Sequence, residues 1–92
     1  MESAVCELKI VKMHRLPEGG RVKAFVDIAV NDILLIKGLR LVDGKSGLFV
    51  SMPQEQGKDK RWYDQVRCLK EEVQMMITQK VIDAFKNGAG KN

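Results

Sequence analysis

Val22, Ala24, Val26, Ile28 and Val30 alternate without interruption with Lys23, Phe25, Asp27, Ala29 and Asn31, and this alternation most constrains the fold. A side-chain period of two belongs to an extended strand with one face against a core. A strand of this kind needs neighbours along its edges and a cover over its apolar face. The cover is legible further on, where the period changes. Leu69, Val73, Met76, Ile77, Val81, Ala84 and Phe85 follow the i, i+3, i+4 rhythm of a helix, with Glu71, Gln74, Thr78 and Asp83 on the other side. Strands followed by one helix predict an α+β fold, a small antiparallel β-sheet of four to five strands packed with a C-terminal α-helix. Ninety-two residues leave room for one domain, residues 1–92. So short a chain buries only about 60–65% of its unfolded surface, which makes a partner subunit a natural source of further burial.

The remaining strands are marked by turns. Cys6, Leu8 and Ile10 face one way and Glu7 and Lys9 the other, a half-buried strand that frays after Val11. Leu16-Pro17-Glu18-Gly19-Gly20 forces a turn. Asn31-Asp32 suits a two-residue hairpin into residues 33–36, Gly38 marks a bulge, and the chain stays extended over residues 39–42. Asp43-Gly44-Lys45-Ser46-Gly47 reads as a five-residue turn, residues 48–52 as the next strand, and Pro53 as its end. Residues 54–61 hold no apolar side chain and read as a loop, and residues 62–66 as a short final strand of the meander. Met75 and Ile82 widen the helix stripe beyond one sheet face and mark a surface for a second chain. Gly88-Ala89-Gly90 closes the helix, with Lys91 and Asn92 hanging free.

Little in the sequence points to catalysis. His14 is the only imidazole and stands beside Arg15 before a turn, so no nucleophile, base and orienting group can be assembled around it. Cys6 and Cys68 form neither a CxxC pair nor a disulfide framework and read as small core residues of a reduced, cytoplasmic chain. No metal, cofactor or small-molecule substrate is expected. Gly44-Lys45-Ser46 mimics part of a phosphate-binding loop, but the required earlier glycine is missing and a strand follows. Glu71-Glu72 sits in the first helical turn, where negative charge meets the helix dipole favourably. The longest apolar run, Ile33-Leu34-Leu35-Ile36, is far short of the roughly 20 residues of a membrane span.

Charge supplies the stronger signal. Sixteen Lys and Arg stand against twelve Asp and Glu, a net charge of +4. Lys58, Lys60, Arg61, Arg67 and Lys70 outnumber Asp59 and Asp64, and Trp62 and Tyr63 lie among them. Cations interleaved with aromatics suit phosphates and unpaired bases. The competing reading is a solvated loop with the two rings tucked under the helix. Arg21 and Lys23, alternating onto one strand face with Lys9 on a neighbouring strand, form a second cationic candidate.

Gly20-Arg21-Val22-Lys23-Ala24-Phe25-Val26 resembles the bacterial stage V sporulation protein G (SpoVG) family. Ile36-Lys37-Gly38-Leu39-Arg40-Leu41-Val42-Asp43-Gly44-Lys45-Ser46-Gly47-Leu48-Phe49-Val50-Ser51-Met52-Pro53 does so with greater specificity, and the resemblance covers nearly the whole chain. It implies a cytoplasmic, homodimeric regulator that binds DNA or RNA and influences septation and sporulation genes. The alternative is a protein-interaction module in septation without direct nucleic-acid binding. In the family a basic stretch associated with DNA contact follows the Met-Pro pair; here Gln54, Glu55 and Gln56 stand there and cations begin at Lys58. Members often carry His-Pro-Ile and then Ser and Thr before the helix, whereas this chain has Arg67-Cys68-Leu69 and Lys70-Glu71-Glu72. That exchange removes a hydroxyl cap and places two negative charges at the helix start.

Overall fold

The alternation of residues 22–30 sets the centre of the structure, a computed structural model that describes residues 6–90. Strands β1 (Leu8–Arg15), β2 (Val22–Val30), β3 (Leu34–Gly44) and β4 (Gly47–Ser51) form an antiparallel meander in that spatial order. Strands β5 (Gln54–Gln56) and β6 (Trp62–Asp64) pair separately, and helix α1 (Glu71–Lys86) follows. This is the α+β architecture the sequence predicts. Ala24, Val26 and Ile28 of β2 and Leu39 and Leu41 of β3 are buried with Ile77 and Val81 of α1. Leu8 and Met13 from β1 and Val50 from β4 complete the core, and α1 touches both outer strands of the sheet. Burying a Leu, Ile or Val side chain contributes about 1.5–3 kcal/mol, so this layer carries most of the favourable energy.

Bulges explain where the strand pattern misleads. β1 does not fray after Val11 but runs on to Arg15, because the pairing register with β2 shifts between Ile10 and Lys12. One extra residue reverses the alternation, so Leu8 and Ile10 before it, and Met13 after it, face the helix while Val11 is exposed. A second shift sets Lys37 and Gly38 against Asp27. Gly38 adopts φ +83°, and its N–H donates to Asp27 Oδ1 at 3.0 Å, which confirms the bulge expected there.

The turns differ in length from what the composition implies, one longer and one shorter. Asn31 and Asp32 take φ values of 54° and 56°, and Ile33 N–H donates to Val30 O at 3.0 Å. Paired residues begin at Val30 opposite Leu34, so Ile33 belongs to the turn. Asn31 Oδ1 also accepts from Glu7 N–H at 2.8 Å, tying the turn to the chain entering β1. The expected five-residue turn at 43–47 shrinks to Lys45 and Ser46, because Gly44 pairs with Gly47. β4 is correspondingly Gly47–Ser51.

Two further corrections concern the chain after Pro53. Residues 54–56 and 62–64 are not a loop and a fifth strand of the meander; they pair with each other. Helix α1 begins at Glu71, and Leu69 lies outside it, 95% exposed. Lys70 is the N-cap and supplies no side-chain cap, consistent with the missing hydroxyl. Ile82 packs partly against the core, whereas Met75 stays exposed. At the other end Gly88, φ +91°, donates to Phe85 O and Ala89 N–H to Ala84 O, the glycine-dependent closure read from the sequence. Lys91 and Asn92 lie outside the described residues.

Arg15 fastens this helix end to the sheet. Its Nε donates to Ala89 O at 2.7 Å, Nη2 donates to Phe85 O, and the guanidinium lies 4.1 Å from the centroid of the Phe85 ring. A cation here also opposes the negative end of the helix dipole. Replacing Arg15 with Ala is expected to lower stability by about 2 kcal/mol, the scale of charge-assisted hydrogen bonds. Arg15→Lys should recover less than half, since an ammonium lacks the planar fork. Urea denaturation followed by far-ultraviolet circular dichroism measures both.

Candidate nucleic-acid interface

Residues 54–64 form a hairpin held almost entirely by polar contacts. Gly57 N–H donates to Arg61 O at 2.8 Å and Lys60 N–H to Gly57 O at 3.0 Å, closing a tip of residues 57–61. Lys60 sits at φ +67°, a left-handed conformation that costs a non-glycine residue about 1–2 kcal/mol. Asp59 organises the turn: its Oδ1 accepts from Arg61 N–H at 3.0 Å and its Oδ2 from Tyr63 Oη at 2.5 Å. A Cβ on Gly57 would lie 2.8 Å from Tyr63 Cε2, so glycine lets the tyrosine ring approach. At the base, Gln54 Nε2 donates to Asp64 Oδ1 at 2.8 Å, and Arg67 Nη2 pairs with Asp64 Oδ2 at 3.1 Å. Gln65 N–H donates to Pro53 O at 2.8 Å. These contacts give Gln54 a structural role at the base of the hairpin.

The result is a cationic projection. Lys58, Lys60 and Arg61 are exposed on the tip, and Arg67 and Lys70 are exposed on the segment leading to α1. Trp62 and Tyr63 are 56% and 48% exposed and do not pack beneath the helix, contrary to the competing reading. Sequence reasoning missed Arg40, whose guanidinium lies 5.7 Å from the Trp62 ring centroid, within cation–π range. Its outward position was available in principle, since Leu39 and Leu41 flank it with the opposite parity. What was not available was the fold-back that brings Trp62 over β3.

Arg21 and Lys23 are not on one face with Lys9. Arg21 precedes β2, and its carbonyl accepts from Asp43 N–H at 2.8 Å. The pairing register shifts at Lys23, which lines a cleft with Arg15, Glu18, Asp43 and Lys86 on the helix side of the sheet. Lys9 lies toward the other end of β2, opposite Ala29, and pairs with Asp32 at 3.2 Å. The hairpin leaves the sheet beyond Ser51, at the end of β4 away from Gly44 and Gly47. Cys6 and Cys68 pack partly buried against the core, and burial pushes the Cys68 thiol above its usual range, reinforced by Cys6. His14 is exposed opposite Phe25, and no group of metal-ligating side chains occurs among the described residues. None of the described helices is long and apolar enough to cross a membrane.

An antiparallel sheet with one helix and an appended basic, aromatic hairpin is the class of architecture seen here. The chain belongs to the SpoVG family, whose family model matches residues 4–87. It is 35% identical over 75 residues to a Symbiobacterium thermophilum protein provisionally named septation protein SpoVG. That match covers 82% of this chain but only 54% of the relative, so this chain spans about half of that relative's length. Similarly named proteins of Bdellovibrio bacteriovorus and Archaeoglobus fulgidus are 30% and 29% identical over 82 residues. Each match covers 89% of this chain, with 72% and 96% of the respective relatives.

The hairpin tip has a testable titration. Hydrogen bonds from Tyr63 and then from Arg61 N–H hold the Asp59 carboxyl below the usual carboxylate range, while the same Asp59 contact raises the Tyr63 hydroxyl. The depressed carboxyl contributes order above its unfolded pKa, and that contribution is lost as pH falls through the folded value; the tyrosine contribution is lost as pH rises through its raised value. Tyr63→Phe is expected to return the Asp59 midpoint toward the ordinary range, measured by carboxyl-carbon NMR.

Proposed function

We propose that this SpoVG-family chain binds nucleic acid through the β5–β6 hairpin. The observation that carries the reading is the tip itself, where Lys58, Lys60 and Arg61 project beside exposed Trp62 and Tyr63 on a turn ordered by Asp59. Arg67 and Lys70 extend the cationic track, and Arg40 links it to the sheet. Affinity arises mainly from phosphate contacts that release counterions, with DNA and RNA both within reach. The helix start is a poor phosphate site because Glu71 and Glu72 occupy its first turn. The protein acts in the cytoplasm as a non-catalytic regulator connected with septation, the process in its relatives' names. It works as a homodimer, joined through the free edges of β1 and β4 or the exposed Met75 and Met76.

A second reading, a protein-interaction module in septation, is favoured by the exposed Ile33 and Leu34 beside the β2–β3 turn. Ionic strength separates the two. Four neutralised phosphates give a log affinity against log salt slope of about −3.6. Lys60→Glu with Arg61→Glu should reduce the steepness by about 2 without altering the circular dichroism spectrum. A flat salt response with an oligonucleotide pool rejects the nucleic-acid reading.

A further inference from the structure

Helix α1 covers one face of the four-stranded sheet, and among the described residues no second helix covers the other. We infer that this open face is a stacking platform for the unpaired bases of a single-stranded nucleic acid, continuous with the hairpin. The inference rests on the nucleic-acid reading above and adds which form of nucleic acid is held and where its bases lie.

The face carries aromatic rings that the core does not use. Phe25 on β2 and Phe49 on β4 are 40% and 47% exposed. In the pairing register His14, Phe25, Arg40 and Ser51 form one row across the four strands, and Phe49 lies opposite Val42 in β3. Arg40 therefore stands on the strand between the two phenylalanines, and its guanidinium approaches Trp62 of the hairpin. Glycine at position 44 permits the Phe49 ring to lie close over the backbone, since a Cβ there would sit 2.7 Å from Cε1.

Charge on the face matches the same ligand. Lys12 lies opposite Asp27, the one acid in the paired rows of this face, and Asp27 already accepts the Gly38 N–H. The ion pairs among the described residues are Lys9 with Asp32 and Arg67 with Asp64, so Lys12 and Arg40 take part in neither. Aromatic rings interspersed with cations suit a chain of alternating bases and phosphates, whereas a protein partner favours a contiguous apolar patch depleted of charge. A duplex keeps its base faces inside its own stack, where rings lying on a sheet do not reach them. Unpaired bases present those faces.

The test compares a short oligothymidine with a blunt duplex of equal length, using the intrinsic fluorescence of Trp62, the only tryptophan in the chain. The unaltered protein is expected to bind the single strand more tightly and to show quenching. Phe25→Leu with Phe49→Leu should weaken single-strand binding about tenfold per ring while leaving duplex binding unchanged, and Phe25→Tyr with Phe49→Tyr should bind normally. If the leucine pair loses its folded spectrum, Arg40→Glu carries the test and must weaken the single strand more than the duplex. Equal binding of both oligonucleotides, with the leucine pair inert, overturns the platform; continued sensitivity to Lys60→Glu with Arg61→Glu then keeps the hairpin reading. A leucine pair that turns a dimer into a monomer in sedimentation makes the face a contact between copies and also overturns the platform. Loss of binding to both oligonucleotides by the unaltered protein overturns both readings.

Discussion

Everything in this molecule depends on burying one face of a four-stranded sheet beneath a single helix. Ala24, Val26, Ile28, Leu39 and Leu41 become dry only when Ile77 and Val81 are laid across them. A sixteen-residue helix is marginal alone in water, so it persists because that contact rewards it. Arg15 completes the arrangement by occupying the carbonyls at the helix end. With one helix among the described residues, the opposite sheet face receives no second helical layer, and its phenylalanines remain at the surface.

The hairpin follows a different physical rule. It contains no buried side chain and draws its order from Asp59, Asp64, Gln54 and two backbone hydrogen bonds across the tip. Exposed ion pairs and hydrogen bonds are individually weak, so several must act together to hold such a turn. The arrangement orders the backbone while leaving the Lys58, Lys60 and Arg61 side chains exposed. On the proposed reading, a fixed base carrying long cationic side chains meets an irregular polyanion at little cost in backbone entropy.

Family membership and local chemistry reinforce each other unevenly. The stretch from Asp43 to Pro53 lies within the residues matched by the family model, and it closes the β3–β4 hairpin and delivers the chain to the cationic projection. Residues 54–56 serve as the first strand of that projection. Its cations stand at the tip, with Gln54 bound to Asp64 at the base.

The sequence by itself determined the central strand, the closing helix, the Gly38 bulge and the basic, aromatic composition after Pro53. Each is a local property: side-chain period, backbone freedom of glycine, or charge along a short stretch. Tertiary structure alone decided the rest. A bulge at Val11 erased the alternation that would have revealed the second half of β1, and β5 was invisible because its partners are polar groups up to ten residues away. Arg15 against Phe85 and Arg40 against Trp62 join residues far apart in the chain, and the separation of Arg21 and Lys23 from Lys9 is equally non-local. Periodicity reports which way one side chain points from its own backbone; it carries no information about which distant group it will meet.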